Sequence, residues 1–225
     1  MNISPDDVPD FAIRWPNIAQ PRLGAATVEA SDEFFAGKER LIDPNPPVFI
    51  PDKYDDHGKW MDGWESRRKR VEGHDWCVVR LSGAAQIHGV DIDTSYFTGN
   101  YPLAASIDGS EDGDHWQEIV PITTLQGNAH HYLPVSPEQS WRWLRLNIIP
   151  DGGVARLRVF GQLMPSLETL GVGLIELSGL MNSSRVAAWS DAHYGWPGKV
   201  FLPDVGSTWA TAGRRAADAS PATSG

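Results

Sequence analysis

Cysteine is almost absent from this 225-residue chain, with Cys77 the only one. That excludes an intrachain disulfide and any zinc site built on several thiolates. The setting Trp76-Cys77-Val78-Val79 is that of a buried, inert thiol, and a reducing cytoplasm is the expected compartment. Long apolar runs are also missing. The most hydrophobic windows fall far short of a membrane span, and the acidic start from Met1 to Asp10 has no apolar core, so neither a membrane anchor nor a signal peptide is expected. Positive charge is scarce too: 19 Lys and Arg stand against 29 Asp and Glu, a formal net charge of −10. Such a chain does not carry the basic field that displaces counterions from phosphate, which excludes a general nucleic-acid binder. It still leaves room for a small anion held by a few converging cations.

Turn formers and tryptophan, by contrast, are abundant. With 22 Gly and 17 Pro, the chain suits many short strands joined by tight turns better than long helices. Ten Trp supply large rigid side chains for a core or a site. Residues 1–24 are Pro-rich and acidic and read as an arm. A short strand is expected over Ala25–Glu29, and four Pro between residues 43 and 53 exclude helix there. From Cys77 the period becomes two. Val79 and Leu81 share a face. Val90 and Ile92 point one way, with Asp91 and Asp93 opposite. Leu144, Leu146 and Ile148 alternate with Trp143, Arg145 and Asn147, and Ala155, Leu157 and Val159 alternate with Arg156 and Arg158. This is the pattern of antiparallel strands with one buried face. Gly83, Gly99, Gly109, Gly127 and Asp151-Gly152-Gly153 are expected to mark turns. The predicted fold is all-β, an antiparallel jelly-roll β-sandwich.

One segment stands out chemically. Tyr54 to Arg70, YDDHGKWMDGWESRRKR, holds four carboxylates, one His, five cations and two Trp. Such a stretch does not form core. It precedes the strand at Cys77–Leu81, while Thr94-Ser95-Tyr96-Phe97-Thr98-Gly99-Asn100-Tyr101-Pro102 follows the strand at Ile87–Asp93. A hairpin through Ser82–Gln86 would bring both loops to one end of the sandwich, where converging polar groups make a small-molecule site.

The residues also carry a resemblance. Lys53 to Arg70, Gly89 to Pro102, and Leu144 to Ile148 with Pro150 to Val159 resemble three signatures of the allantoicase family, in the family's order. The match runs from about Phe11 to Gly161 and resumes at Val186–Pro203. An internal echo agrees with it: Ala25–Phe35 recurs loosely as Ser184–Tyr194. The resemblance implies a galactose-binding, discoidin-like sandwich. It further implies hydrolysis of allantoate to (S)-ureidoglycolate and urea in purine and allantoin degradation. Family members carry two tandem repeats and are expected to form homo-oligomers. The expected organisation is an arm over 1–24, a sandwich repeat over 25–162, a linker over 163–185, and over 186–225 the start of a second repeat with a disordered tail. The drift from the family pattern after Pro203 suggests a truncated second repeat, which would impair activity.

Candidate roles follow from the substrate that the resemblance implies. Loss of urea from allantoate needs an acid for the leaving nitrogen, an anchor for the carboxylate and stabilisation of developing charge. His57, Glu65, Asp55 and Asp56 are the acid–base candidates. Arg67 and Arg68 are expected to hold the carboxylate by bidentate bonds, with Arg145 as second choice. Thr98 and Asn100 suit the urea carbonyl and amides. No cofactor or metal is expected, because Asp91-x-Asp93, His88, His130 and His131 lack a specific ligand spacing. The partner class is a small-molecule ureide, with no nucleic acid and no membrane. The rival reading is a non-catalytic discoidin-like module or an inactive fragment.

Overall fold

The computed structural model describes residues 8–164. The expected linker beyond Met164, the second-repeat start, the echo at Ser184–Tyr194 and the tail lie outside the described residues. Helix is confined there to α1 (Asp10–Arg14) and the 3-10 turns Pro21–Leu23 and Lys38–Ile42. The strands are β1 (Ala26–Ala30), β2 (Tyr54–Asp55), β3 (Gly58–Lys59), β4 (Trp64–Glu65), β5 (Asp75–Asp93), β6 (Ala104–Ser110), β7 (Gln117–Thr124), β8 (His130–Pro134), β9 (Ser140–Ile149), β10 (Gly153–Val154) and β11 (Arg156–Leu163). All named pairings are antiparallel.

The long strand β5 belongs to both layers of the sandwich. Its first half lies between β1 and β9, and that layer continues through β6 to β7. Its second half lies between β8 and β11. The expected hairpin through Ser82–Gln86 is therefore replaced by one strand that crosses from sheet to sheet, with the register to β9 shifting between Arg80 and Ala85. Gly83 sits within this crossing, and Gly109 lies inside β6 beneath the Trp141 ring, so neither marks a turn. Both ends of β5 nevertheless reach the same end of the sandwich. Asp75 pairs with Ile148 and donates its backbone N–H to Pro150, while Asp93 pairs with Arg156 and accepts from the N–H of Ala155. The predicted convergence of loops thus stands on a different cause.

The alternation does build the core. Cys77, Val79, Leu81, Ile87, Val90, Ile92, Leu144, Leu146, Ile148, Leu157 and Val159 are fully buried. Four residues read as outward-facing are buried as well, among them Asn147, which donates to Ser106 and Asp108. Asp91 and Asp93 sit in a network with His130 and Arg158, and Arg156 is covered by the chain between residues 45 and 62. Arg156 bonds the carbonyls of Asn45 and Asp62 at 3.0 Å each and the Asp62 carboxylate at 2.9 Å. A buried guanidinium so surrounded pins the proline-rich segment onto β11. The N-terminal segment is also more than an arm over its described residues: Ile18, Ala19 and Leu23 are buried, and Ile18 donates to the Val159 carbonyl at 2.8 Å.

Candidate active site

The two loops meet through a small apolar cluster of their own. Met61 from the first, Phe97 from the second and Ala155 between β10 and β11 are buried together, with Tyr101 against them. Phe97 is seated between two glycines. A Cβ at Gly63 would come within 2.9 Å of its ring, and one at Gly153 would drive into it. The backbone is stitched around this cluster. β4 pairs with β10, Glu65 opposite Gly153, and Gly153 donates its N–H to the Asn100 carbonyl at 2.7 Å. Trp64, fully buried, donates its indole N–H to Asp32 at 2.8 Å and anchors β4 from the other side.

Glu65 and Asn100 are thereby brought side to side. The Asn100 amide nitrogen donates to Glu65 Oε1 at 2.7 Å. Glu65 is only 8% exposed, and burial pushes its carboxyl above the usual range. The Asn100 bond pulls in the opposite direction and the charge of Asp55 adds to the upward push. Glu65 therefore keeps its proton to higher pH than an ordinary glutamic acid.

These groups open onto a cavity of about 690 Å³, which is the size of a small-molecule site. His57, Gly58 and Lys59 of the β2–β3 hairpin line one part, and Thr98, Gly99 and Asn100 another. Phe35, Phe49 and Tyr96 supply aromatic surface, with Phe49 and Tyr96 stacked at 5.7 Å.

Of the residues predicted from sequence, His57, Glu65, Thr98 and Asn100 line this cavity. Asp55 stands beside it, accepting the His57 backbone N–H at 3.0 Å. Asp56 lies exposed in the hairpin turn and does not line the cavity. The arginines are placed elsewhere. Arg67 and Arg68 line a neighbouring basic pocket with Lys69 and Arg70, and Phe35 borders both spaces. Arg67 is committed to Asp32, at 2.6 Å, and lies over the Phe34 ring. The paired Asp32 carboxyl is raised by burial but lowered more by its bonds to Arg67 and Phe34, so its net direction is down. Arg145 is on the outer face of the β9 layer. It pairs with Asp108 across to β6 at 2.9 Å and stacks on Trp116. Alternation dictates this: Leu144 and Leu146 take the inner face, so Arg145 takes the outer one, partway along the strand.

Lys59, Phe35, Phe49, Tyr96 and Asn128 were not singled out from sequence. One signal was available for Lys59: it stands in the same charged stretch, two residues after His57. Nothing local marks Asn128, whose carboxamide oxygen accepts the Tyr96 N–H at 2.9 Å from 32 residues away.

A second polar cluster lies on the β8–β5–β11 layer. Ligand atoms of Asp91, Asp93 and His130 fall within 4.8 Å of one another. Arg158 stands 3.2 Å from Asp93 and 3.8 Å from Asp91 and supplies positive charge to the cluster, and His130 bonds Asp91 at 2.8 Å.

Comparison with known proteins agrees with this fold. A family model described as the allantoicase repeat matches residues 16–164. A probable allantoicase of Burkholderia mallei is 51% identical over 227 residues, covering 95% of this chain and 67% of that protein. The crystal structure of allantoicase from Saccharomyces cerevisiae superposes with a TM-score of 0.72 at 30% identity, covering 89% of this chain and 64% of the other. A carbohydrate-binding module from a Clostridium perfringens family 31 glycoside hydrolase, 13% identical with a TM-score of 0.51, shares the fold. The chain spans about two thirds of the length of the curated relatives it matches.

Proposed function

This chain belongs to the allantoicase family, and from that premise we propose that the Glu65 cavity hydrolyses allantoate to (S)-ureidoglycolate and urea. The observation that carries the reading is the buried Glu65 carboxyl, proton-retaining and fixed by Asn100, on a ligand-sized cavity.

The chemistry follows from the substrate. The central carbon of allantoate bears a hydrogen, a carboxylate and two ureido groups. Glu65 donates its proton to one ureido nitrogen as the C–N bond breaks, and neutral urea leaves. The lone pair of the remaining ureido nitrogen forms a C=N bond to the central carbon. Water then adds to that carbon and gives one proton to the Glu65 carboxylate, which restores the acid. Raising the carboxyl above its ordinary range suits it to donate near neutral pH. Thr98 and Asn100 offer a hydroxyl and an amide to the ureido carbonyls, and His57 is a further acid–base candidate in the lining of the same cavity. The proposal includes a cytoplasmic setting, in keeping with the single buried thiol, and a homo-oligomer. Among the described residues no helix is long and apolar enough to cross a membrane.

The test is urea release from allantoate by the purified chain. Glu65→Gln keeps the side-chain size and the bond to Asn100's neighbourhood, but removes the donated proton. Turnover is expected to fall by about 10²-fold or more, with the circular-dichroism spectrum unchanged. Saturable allantoate binding without urea release would favour a binding module instead.

A further inference from the structure

We infer that Lys59 is the anchor for the ureide carboxylate, a role the sequence pattern had assigned to Arg67 and Arg68. The inference rests on the reading of the Glu65 cavity as the ureide site. Allantoate and its product both keep the carboxylate through the reaction, so a site for them needs a cation that holds charge without taking part in chemistry. Among the described residues lining the cavity, Lys59 is the one permanent cation.

Arg68 and Arg70 line the neighbouring pocket and not this cavity. Arg67 is paired with Asp32, Lys69 with Asp75 at 2.8 Å and Arg156 with Asp62. Lys53 rests on the Trp60 ring, 3.6 Å from its centroid. The ammonium of Lys59 makes no ion pair with a described carboxylate. It lies 4.6 Å from the centroid of Phe49, whose ring stacks on Tyr96 at the cavity wall. An exposed cation–π contact is weak. A ligand carboxylate inside the cavity competes well with it. The ammonium rests at the wall over Phe49 and makes no ion pair with Glu65, so that anchor and acid act on different parts of one small molecule. Because a point charge on a flexible stem binds ground state and transition state alike, Lys59 acts on affinity more than on turnover.

The experiment separates the anchor from the chemistry. Binding of N-carbamoylglycine, a carboxylate with one ureido group, and of its neutral amide is measured by calorimetry on the wild-type chain, Lys59→Met, Lys59→Arg and Arg67→Ala. Lys59 is exposed, and melting temperatures confirm that the variants fold. The acid is expected to bind the wild type at least tenfold tighter than the amide. Lys59→Met is expected to erase that preference, Lys59→Arg to restore most of it, and Arg67→Ala to leave it intact. A preference that survives in Lys59→Met, or is absent from the wild type, overturns the inference. Urea release from allantoate, measured separately, tests the reading of the site: in the same variants, KM should rise tenfold or more for Lys59→Met while kcat stays within about threefold.

Discussion

Asn100 donates its side-chain amide to the Glu65 carboxyl across 2.7 Å, although the two residues are 35 apart in sequence. The bond joins the two loops at the one point where a buried acid opens onto the cavity. It also favours the charged form of Glu65, against burial and against Asp55, which favour the neutral form. These opposed influences make the pH profile a signed test.

If Glu65 acts as the acid, kcat/KM declines as pH rises through its raised pKa. Asn100→Ala removes a bond to the carboxylate and should move that decline to higher pH. Asp55→Asn removes a nearby negative charge and should move it to lower pH. Profiles of kcat/KM against pH for the three proteins check this, and shifts in a common direction would refute the assignment.

Arg156 is expected to be a structural keystone. It is 1% exposed and satisfies the Asp62 carboxylate and two loop carbonyls. Arg156→Met leaves the half-buried Asp62 carboxylate and the two carbonyls without this donor, which costs about 1–3 kcal/mol. Urea denaturation of the variant should show that loss, and a change below about 1 kcal/mol would show that water replaces the guanidinium.

The His130 cluster predicts a pH dependence of stability. Burial pulls the His130 pKa down, but its bond to Asp91 and the charges of Asp91 and Asp93 outweigh this, so the net direction is up. A group raised in the folded state contributes stability that is full below the unfolded value, about 6.5, and is lost as pH rises through the folded value. Denaturation midpoints should therefore fall on the alkaline side of that window, and His130→Gln should flatten the slope. An equal slope in the variant would assign the effect to other groups.

Gly153→Ala tests the seat of Phe97. The added methyl has no space against the ring, and the N–H of residue 153 also holds Asn100. The variant should be less stable by about 1–3 kcal/mol, and its residual activity should fall further than its folded fraction does. Activity that merely tracks the folded fraction would uncouple this glycine from the site.

Much of the architecture was legible in the alternation. The inner faces of β5, β9 and β11 follow a period of two, because neighbouring side chains in a strand point to opposite sides. The charged stretch from Tyr54 to Arg70 announced a polar site by composition, and His57, Glu65, Thr98 and Asn100 do line it. The arginines were misplaced because residue type reveals what a group can hold, while its partner is set by what packs beside it: Asp32 takes Arg67 and Asp108 takes Arg145. Asp91, Asp93 and Arg156 read as outward because a period of two says which residues share a face and is silent on whether that face is covered.

The amino-acid pattern alone therefore determined the strands, their core faces and the polar chemistry that the loops carry, since these depend on neighbours a few residues apart. The tertiary structure decided how β5 crosses between layers, why both loops reach one end, and that Lys59 rather than Arg67 fronts the cavity. Those outcomes depend on pairings between distant segments, such as Asp75 with Ile148, Asp93 with Arg156 and Glu65 with Gly153. No local periodicity encodes them, because the free energy that selects them comes from surfaces buried together only after the chain has folded.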